Sequence, residues 1–312
     1  QGAESQLPEE KKSLVFSEKR KKLAKNKEKQ KKKGLKDTSP SDAEKNTLLQ
    51  HYQNGRYADA EKLAISITQE FPEYQFGWTL LGAVLKQTGR LREALTSMEQ
   101  SVQLAPQDAG AHSNLGVTLQ ELGRLDEAEA SYRQAIALKP DYAEAYYNLG
   151  NILPGLGKLG EAEASYRQAL ALKPDYAEAY YNLGIALKEQ GRLDEAEASY
   201  RHAISLKPHA KACNNLGSTL QKLNKADEAE ASYRQAIALQ PDYVEAHSNL
   251  GITLKELGRL DEAEASFRQA IALKPDYASA HNNLGNILPE LGKLDEAEAS
   301  YRQAIALKPD YA

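Results

Sequence analysis

A stretch of 34 residues governs the whole chain. Ala109–Tyr142 reads AGAHSNLGVTLQELGRLDEAEASYRQAIALKPDY, and Val244–Tyr277 repeats it with 29 of 34 residues identical. Further copies run Ala143–Tyr176, Ala177–His209, Ala210–Tyr243 and Ala278–Tyr311. More diverged copies precede them at Gln75–Asp108 and Ser41–Tyr74, which makes eight units. A fixed period of this size excludes a fold built around one central core. Each unit is too small to bury its own apolar face, so the units must stack and bury it against their neighbours.

The pattern inside one unit is helical. In Ala177–Gly191 the apolar residues fall at Ala179, Tyr180, Leu183, Ala186 and Leu187, which is the spacing of one helix face. The second half repeats that spacing with Leu193, Ala196, Tyr200, Ala203 and Ile204. Between the halves stands a glycine (Gly89, Gly123, Gly157, Gly191, Gly258, Gly292) that can take positive φ and end the first helix. Asp126, Asp194, Asp261 and Asp295 follow near the start of the second helix, where a carboxylate suits the dipole. Glu129–Arg133 and Glu197–Arg201 sit four apart in the favourable order. Pro72, Pro106, Pro140, Pro174, Pro208, Pro241, Pro275 and Pro309 stop each second helix.

Composition narrows the function classes. The apolar share is 41%, much of it Ala and Leu, with one Trp and four Phe, which suits many thin helix layers. A single cysteine, Cys213, excludes a disulfide framework and a cysteine metal cluster and fits a reducing compartment, so a cytoplasmic location is expected. No run of 18 apolar residues is present. The chain begins at Gln1 and stops at Ala312, one residue into a ninth unit and without a polar end cap, and reads as a fragment.

The net charge of −4 conceals an asymmetry. Residues 1–40 hold 13 Lys/Arg and 6 Asp/Glu, net +7, which leaves −11 for residues 41–312. The Lys-rich leader has too little apolar surface to offset its ordering entropy and is expected to be a disordered tail. It is either a solubilising leader or a contact for nucleic acid or another anionic surface. No aromatic residues interleave with its lysines, which favours the leader.

An aromatic (Trp78, Tyr146, Tyr180) precedes Leu-Gly by three residues (Leu81-Gly82, Leu149-Gly150, Leu183-Gly184). An alanine follows (Ala60, Ala94, Ala128, Ala162, Ala196, Ala229, Ala263, Ala297), then an aromatic four later (Tyr132, Tyr166, Tyr200, Tyr233, Phe267, Tyr301), then the proline. Residues 41–312 thereby resemble the tetratricopeptide repeat (TPR) family. The resemblance implies an all-α right-handed superhelix, a solenoid of antiparallel helix pairs, with units 41–74, 75–108, 109–142, 143–176, 177–209, 210–243, 244–277 and 278–311. Three departures stand out. Pro154 and Pro289 fall late in a first helix and should bend that turn. Cys213 takes the usual place of an aromatic, after a linker one residue short. Asn224 replaces the turn glycine, so the junction of the fifth and sixth units is expected to be the weakest.

Nothing in the sequence looks catalytic: no phosphate-cradling loop, GxSxG or HExxH is present, and no cofactor or metal site is expected. His112, His247 and His281 occupy the slot of Trp78, Tyr146 and Tyr180 and read as packed aromatic substitutes rather than ligands. One feature exceeds what folding needs. The residue before each Leu-Gly is Asn114, Asn148, Asn182, Asn215, Asn249 and Asn283, six units in succession. Asn competes for backbone hydrogen bonds and is a mediocre helix former. In TPR arrays the first helices line the concave surface, so these residues would form a ladder along an inner groove. An amide presents a donor and an acceptor, matching a peptide bond. Tyr147 and Tyr181 stand beside the ladder and would add aromatic contacts. The unit also looks like the superhelical arm of O-linked N-acetylglucosamine transferases, where a comparable Asn column contacts substrate peptides.

Two accounts of the ladder stay open: use in peptide binding, and persistence through recent duplication. The expected function is a non-catalytic scaffold that binds an extended polypeptide. The alternative is the substrate-recruiting arm of an enzyme, a glycosyltransferase first and a sulfotransferase or methyltransferase next. Self-association through uncapped ends is a third reading, and nucleic-acid binding by the tail a fourth.

Overall fold

The computed structural model describes residues 39–309. The tail expected over residues 1–40 lies almost wholly outside the described residues, and so does the start of a ninth unit. Sixteen α-helices and no strand occur among the described residues, and the fold is an all-α solenoid of antiparallel helix pairs. None of these helices is long and apolar enough to cross a membrane. The chain divides into two compact units, one ending at Leu138 and the other beginning at Lys139.

The unit ending at Leu138 contains three pairs. They are Asp42–Gln53 with Tyr57–Glu70, Gln75–Gln87 with Leu91–Leu104, and Ala109–Glu121 with Leu125–Leu138. Ser41 starts the first helix through a capping box: its hydroxyl accepts from Glu44 N, and Glu44 Oε2 accepts from Ser41 N at 2.8 Å. The most diverged repeats build their core differently from the others. Leu48, Ala60, Ala64, Ile67, Leu80 and Val84 form the centre, and Tyr52, Tyr57, Phe71, Phe76 and Trp78 pack around it.

The unit beginning at Lys139 contains five pairs. The first helices are Ala143–Ile152, Ala177–Glu189, Ala210–Lys222, Val244–Glu256 and Ala278–Ile287. The second helices are Leu159–Leu172, Leu193–Leu206, Ala226–Leu239, Leu260–Leu273 and Leu294–Leu307. Close approach within each pair comes from the helical glycine. A Cβ added at Gly150, Gly184, Gly217 or Gly251 would lie 2.6–2.7 Å from the ring of Tyr166, Tyr200, Tyr233 or Phe267. The aromatic ring rests on the bare backbone, and its burial offsets the ~1 kcal/mol that glycine costs in a helix.

The two inserted prolines change the helix as their chemistry requires. Ala143–Ile152 ends short and continues as a 3-10 turn over Leu153–Leu156, because Pro154 has no N–H for the Gly150 carbonyl. Ala278–Ile287 ends at the same place before Pro289. Asn224, which stands where other units have glycine, takes φ +59° and is the one non-glycine in that region among the described residues. Asn tolerates the left-handed conformation better than most residues. Cys213 is fully buried against Ala236, Ala246, Ile204 and Tyr243.

Acidic and basic side chains stitch successive second helices together. Glu163 accepts from Arg167 at 2.9 Å, one turn along its own helix, and from Arg192 of the next repeat at 2.6 Å. Arg192 also grips Glu195 at 2.6 Å, and Arg167 reaches Glu195 at 2.9 Å. Glu197 pairs with Arg201 and Lys225, Glu230 with Arg234 and Arg259, and Glu264 with Arg268 and Lys293. The central carboxylates are largely buried, Glu230 and Glu264 at 7% and 8% exposure, so each needs its partners.

Candidate functional site

The ladder residues Asn148, Asn182, Asn215, Asn249 and Asn283 stand on successive first helices of the unit beginning at Lys139, and all five are half-buried. Asn182 Nδ2 donates to Asn151 Oδ1 at 2.8 Å and to Tyr147 Oη at 3.3 Å. Asn215 Nδ2 donates to Tyr181 Oη at 3.2 Å, and Asn249 Nδ2 to Asn214 Oδ1 at 3.0 Å. Each of these bonds crosses from one repeat to the one before it. They run along a single face, and they turn the amide nitrogen of each donor toward the preceding repeat. Among the described residues nothing donates to Oδ1 of Asn182, Asn215 or Asn249. The carbonyl oxygens are therefore the open half of the ladder, with one N–H left over on Asn215 and Asn249, while Asn182 spends both of its own.

Tyr147 and Tyr181 serve this arrangement as acceptors. Their rings also pack: Tyr147 lies 4.7 Å from Tyr176 and 6.2 Å from Tyr166, and Tyr181 lies 6.0 Å from Tyr200 and 5.6 Å from His209. Burial raises the Tyr181 phenol above its ordinary value, and the bond from Asn215 partly offsets the rise. The ladder weakens toward the end of the array. Ser248 stands where Asn283 would need a tyrosine or asparagine one repeat earlier, and among the described residues its short side chain makes no such bond. Asn114 belongs to the other unit, is exposed, and takes one bond from Thr118 Oγ1 to its backbone carbonyl at 3.0 Å.

The histidine slot has a backbone role. His112, His247 and His281 each place Nε2 2.9–3.0 Å from the carbonyl of Pro106, Pro241 or Pro275, six residues earlier. Trp78 Nε1 donates to the Pro72 carbonyl at 2.9 Å in the same way.

Sequence reasoning missed a second set of residues, those that satisfy the hydroxyls of the tyrosines on the second helices. Tyr132 donates to Gln120 at 2.9 Å and Tyr233 to Gln221 at 2.6 Å, each across its own helix pair. Tyr166 and Tyr301 donate instead to Asn151 and Asn286, at 3.0 Å, in the two pairs where proline occupies the Gln position. Where Lys255 takes that position the aromatic is Phe267, which has no hydroxyl. The exception is the pair that joins Lys188 to Tyr200. Lysine cannot accept, and the Tyr200 hydroxyl, wholly buried, has no hydrogen-bond partner among the described residues. Asn215 comes near it, but its amide is aimed at Tyr181. A cleft of about 260 Å³ opens here, lined by Ile185, Lys188, Glu189, Tyr200, Asn215 and Lys222. Burial lowers the affinity of Lys188 for its proton, and the Lys222 charge adds to that effect. The signal was in the sequence, as a Lys–Tyr combination among Gln–Tyr and Lys–Phe pairs, but only the packing shows that the two positions meet.

Comparison with known proteins agrees with this architecture. Family models described as tetratricopeptide repeat or TPR repeat match residues 77–108, 119–191, 177–209, 209–276 and 250–312. No curated protein matches. Among solved structures, YrrB, described as a TPR protein with an unusual peptide-binding site, is 28% identical with a TM-score of 0.52, over 58% of this chain and 93% of that one. The pilF protein of Pseudomonas aeruginosa is 21% identical with a TM-score of 0.56, over 64% and 92%. MamA of Desulfovibrio magneticus RS-1 is 21% identical with a TM-score of 0.51, over 54% and 96%. The latter two show the fold alone.

Proposed function

The chain belongs to the tetratricopeptide repeat family, and we propose that it is a protein–protein interaction scaffold whose Asn ladder holds an extended polypeptide by its backbone. The observation that carries this is the row of open Oδ1 atoms on Asn182, Asn215 and Asn249, held in register by their own amide bonds to the preceding repeat. Preset acceptors one repeat apart suit the N–H groups of a chain laid along that face. A peptide-binding site in YrrB, at 28% identity, supports the same reading. Each amide–backbone bond is worth roughly 0.5–1.5 kcal/mol net, so the set supports micromolar and not nanomolar binding once the ligand's ordering is counted.

The test is selection from a random peptide display library against the full chain. It is repeated with Asn182, Asn215 and Asn249 all changed to Ala, and with the pair Tyr147→Phe and Tyr181→Phe. The triple variant loses binding and some stability. The tyrosine pair loses the bonds to Tyr147 and Tyr181 but keeps the Asn182–Asn151 and Asn249–Asn214 bonds and the ladder oxygens, and so loses some stability while still selecting peptides. Equal selection by the wild type and the triple variant would reject the ladder.

The enzyme-arm reading assigns the same face to substrate recruitment and predicts that selected peptides become substrates of the attached enzyme. Self-association predicts a mass that rises with concentration. Nucleic-acid binding by residues 11–36 predicts a steep loss of affinity with added salt. A cytoplasmic location completes the reading.

A further inference from the structure

We propose that the cleft between the fifth and sixth repeats is an oxyanion site, which receives the acidic group of a side chain carried by the bound segment. The source of that group in a bound peptide rests on the groove reading. The site itself does not.

Three observations converge on it. The first is the hydroxyl of Tyr200, a residue that lines the cleft; the hydroxyl is fully buried and has no acceptor for its proton among the described residues. In four other helix pairs the equivalent hydroxyl finds Gln120, Asn151, Gln221 or Asn286. A buried hydroxyl without an acceptor costs stability, so its retention in one repeat calls for an outside acceptor. The second is the charge of the lining. Lys188 and Lys222 both face the cleft, and among the described residues no ion pair engages either of them. Lys188 Nζ spends one of its donors on Ser218 Oγ at 3.0 Å. Glu189 is the single carboxylate on the wall, so the lining carries a net positive charge. The third is position. Asn215 is both a ladder residue and part of the cleft wall, so a chain lying on the ladder passes the mouth of the cleft. An oxyanion placed there accepts from Tyr200 Oη, Lys188 Nζ and Lys222 Nζ, a charge-assisted donor set. The volume suits a carboxylate with its methylene stem, or a phosphate.

The test is a methyl NMR titration of the full chain with sodium acetate and, separately, inorganic phosphate, each against sodium chloride at matched ionic strength. Ile185, on the cleft wall, is the reporter. A saturable shift at Ile185 with either anion, absent with chloride, is expected. Lys188→Gln should weaken it about tenfold, as should Lys222→Gln. Acetate binding the tighter of the two identifies a carboxylate as the natural group, and phosphate the tighter identifies a phosphorylated residue. Lys188→Gln places at this position the residue that already pairs with tyrosine in two other repeats, so the variant folds. An Ile185 shift no larger than chloride produces, or one indifferent to both lysine substitutions, overturns the proposal. The ladder variant Asn182→Ala, which lies outside the cleft wall, keeps the acetate response. Loss of peptide selection in the ladder variants therefore fails separately from loss of the oxyanion site.

Discussion

At the level of single residues the chain resolves into a few paired decisions. Ala109–Tyr142 and Val244–Tyr277 differ at five places, and two of these are Gln120/Lys255 and Tyr132/Phe267, which face each other. The hydroxyl and its acceptor are gained or lost together, because either alone would leave a buried polar group unsatisfied. Lys188 and Tyr200 break that rule. Tyr200→Phe should therefore leave the urea midpoint unchanged or slightly raised, whereas Tyr233→Phe, which breaks a 2.6 Å bond to Gln221, should cost about 1 kcal/mol. Lys188→Gln should stabilise by a similar amount, since it gives Tyr200 an acceptor. Equal effects of the two tyrosine substitutions would refute this account. Gly184→Ala belongs at this scale too. Its Cβ would meet the Tyr200 ring at 2.7 Å, and the forced shift should cost about 1–3 kcal/mol in the same assay.

Helices show where local rules hold and where tertiary packing overrules them. The turn glycines at φ +69° to +76° and the early stop at Ile152 follow directly from glycine and proline chemistry, and both are legible in the sequence. The ladder's orientation is not. Helical periodicity places Asn182 on a first helix, but only packing brings its Nδ2 to Asn151 and Tyr147, 31 and 35 residues earlier. The cleft was illegible for the same reason, since it depends on which side chains meet across a pair. Pro154→Gln should extend Ala143–Ile152 through the 3-10 turn, which backbone chemical shifts at Leu153–Leu156 would show. Unchanged shifts would mean that packing rather than proline sets the break. The carboxylates between second helices make a pH prediction. Burial works to raise Glu163, but the bonds from Arg167 and Arg192 outweigh it and hold the group below its ordinary value. Glu264 is lowered chiefly by Lys293, with Arg268 contributing. A carboxyl lowered in the folded state stabilises fully above its unfolded value and loses that contribution as pH falls through its folded value. The urea midpoint should hold from neutral pH to about 5 and fall below about 4.5. Glu163→Gln should reduce the size of that fall.

Across the whole molecule, the proposed function has one repeated unit serve both stability and recognition. A solenoid gains stability from each neighbour contact, so a residue that joins repeats can also be displayed along a face. Asn182, Asn215 and Asn249 do this with one functional group, the nitrogen holding the preceding repeat and the oxygen left open. Duplication of near-identical copies is the other account of the column, and it predicts that those oxygens contact no ligand. The most direct test compares a display-selected peptide with versions N-methylated at successive backbone amides, measured by fluorescence anisotropy on the full chain. The side chains are the same in each version, and only one N–H is lost. Methylation at amides spaced to meet the ladder should weaken binding about tenfold at each site, with the intervening positions unaffected. Uniform affinity across the methylated series would contradict backbone reading by the ladder.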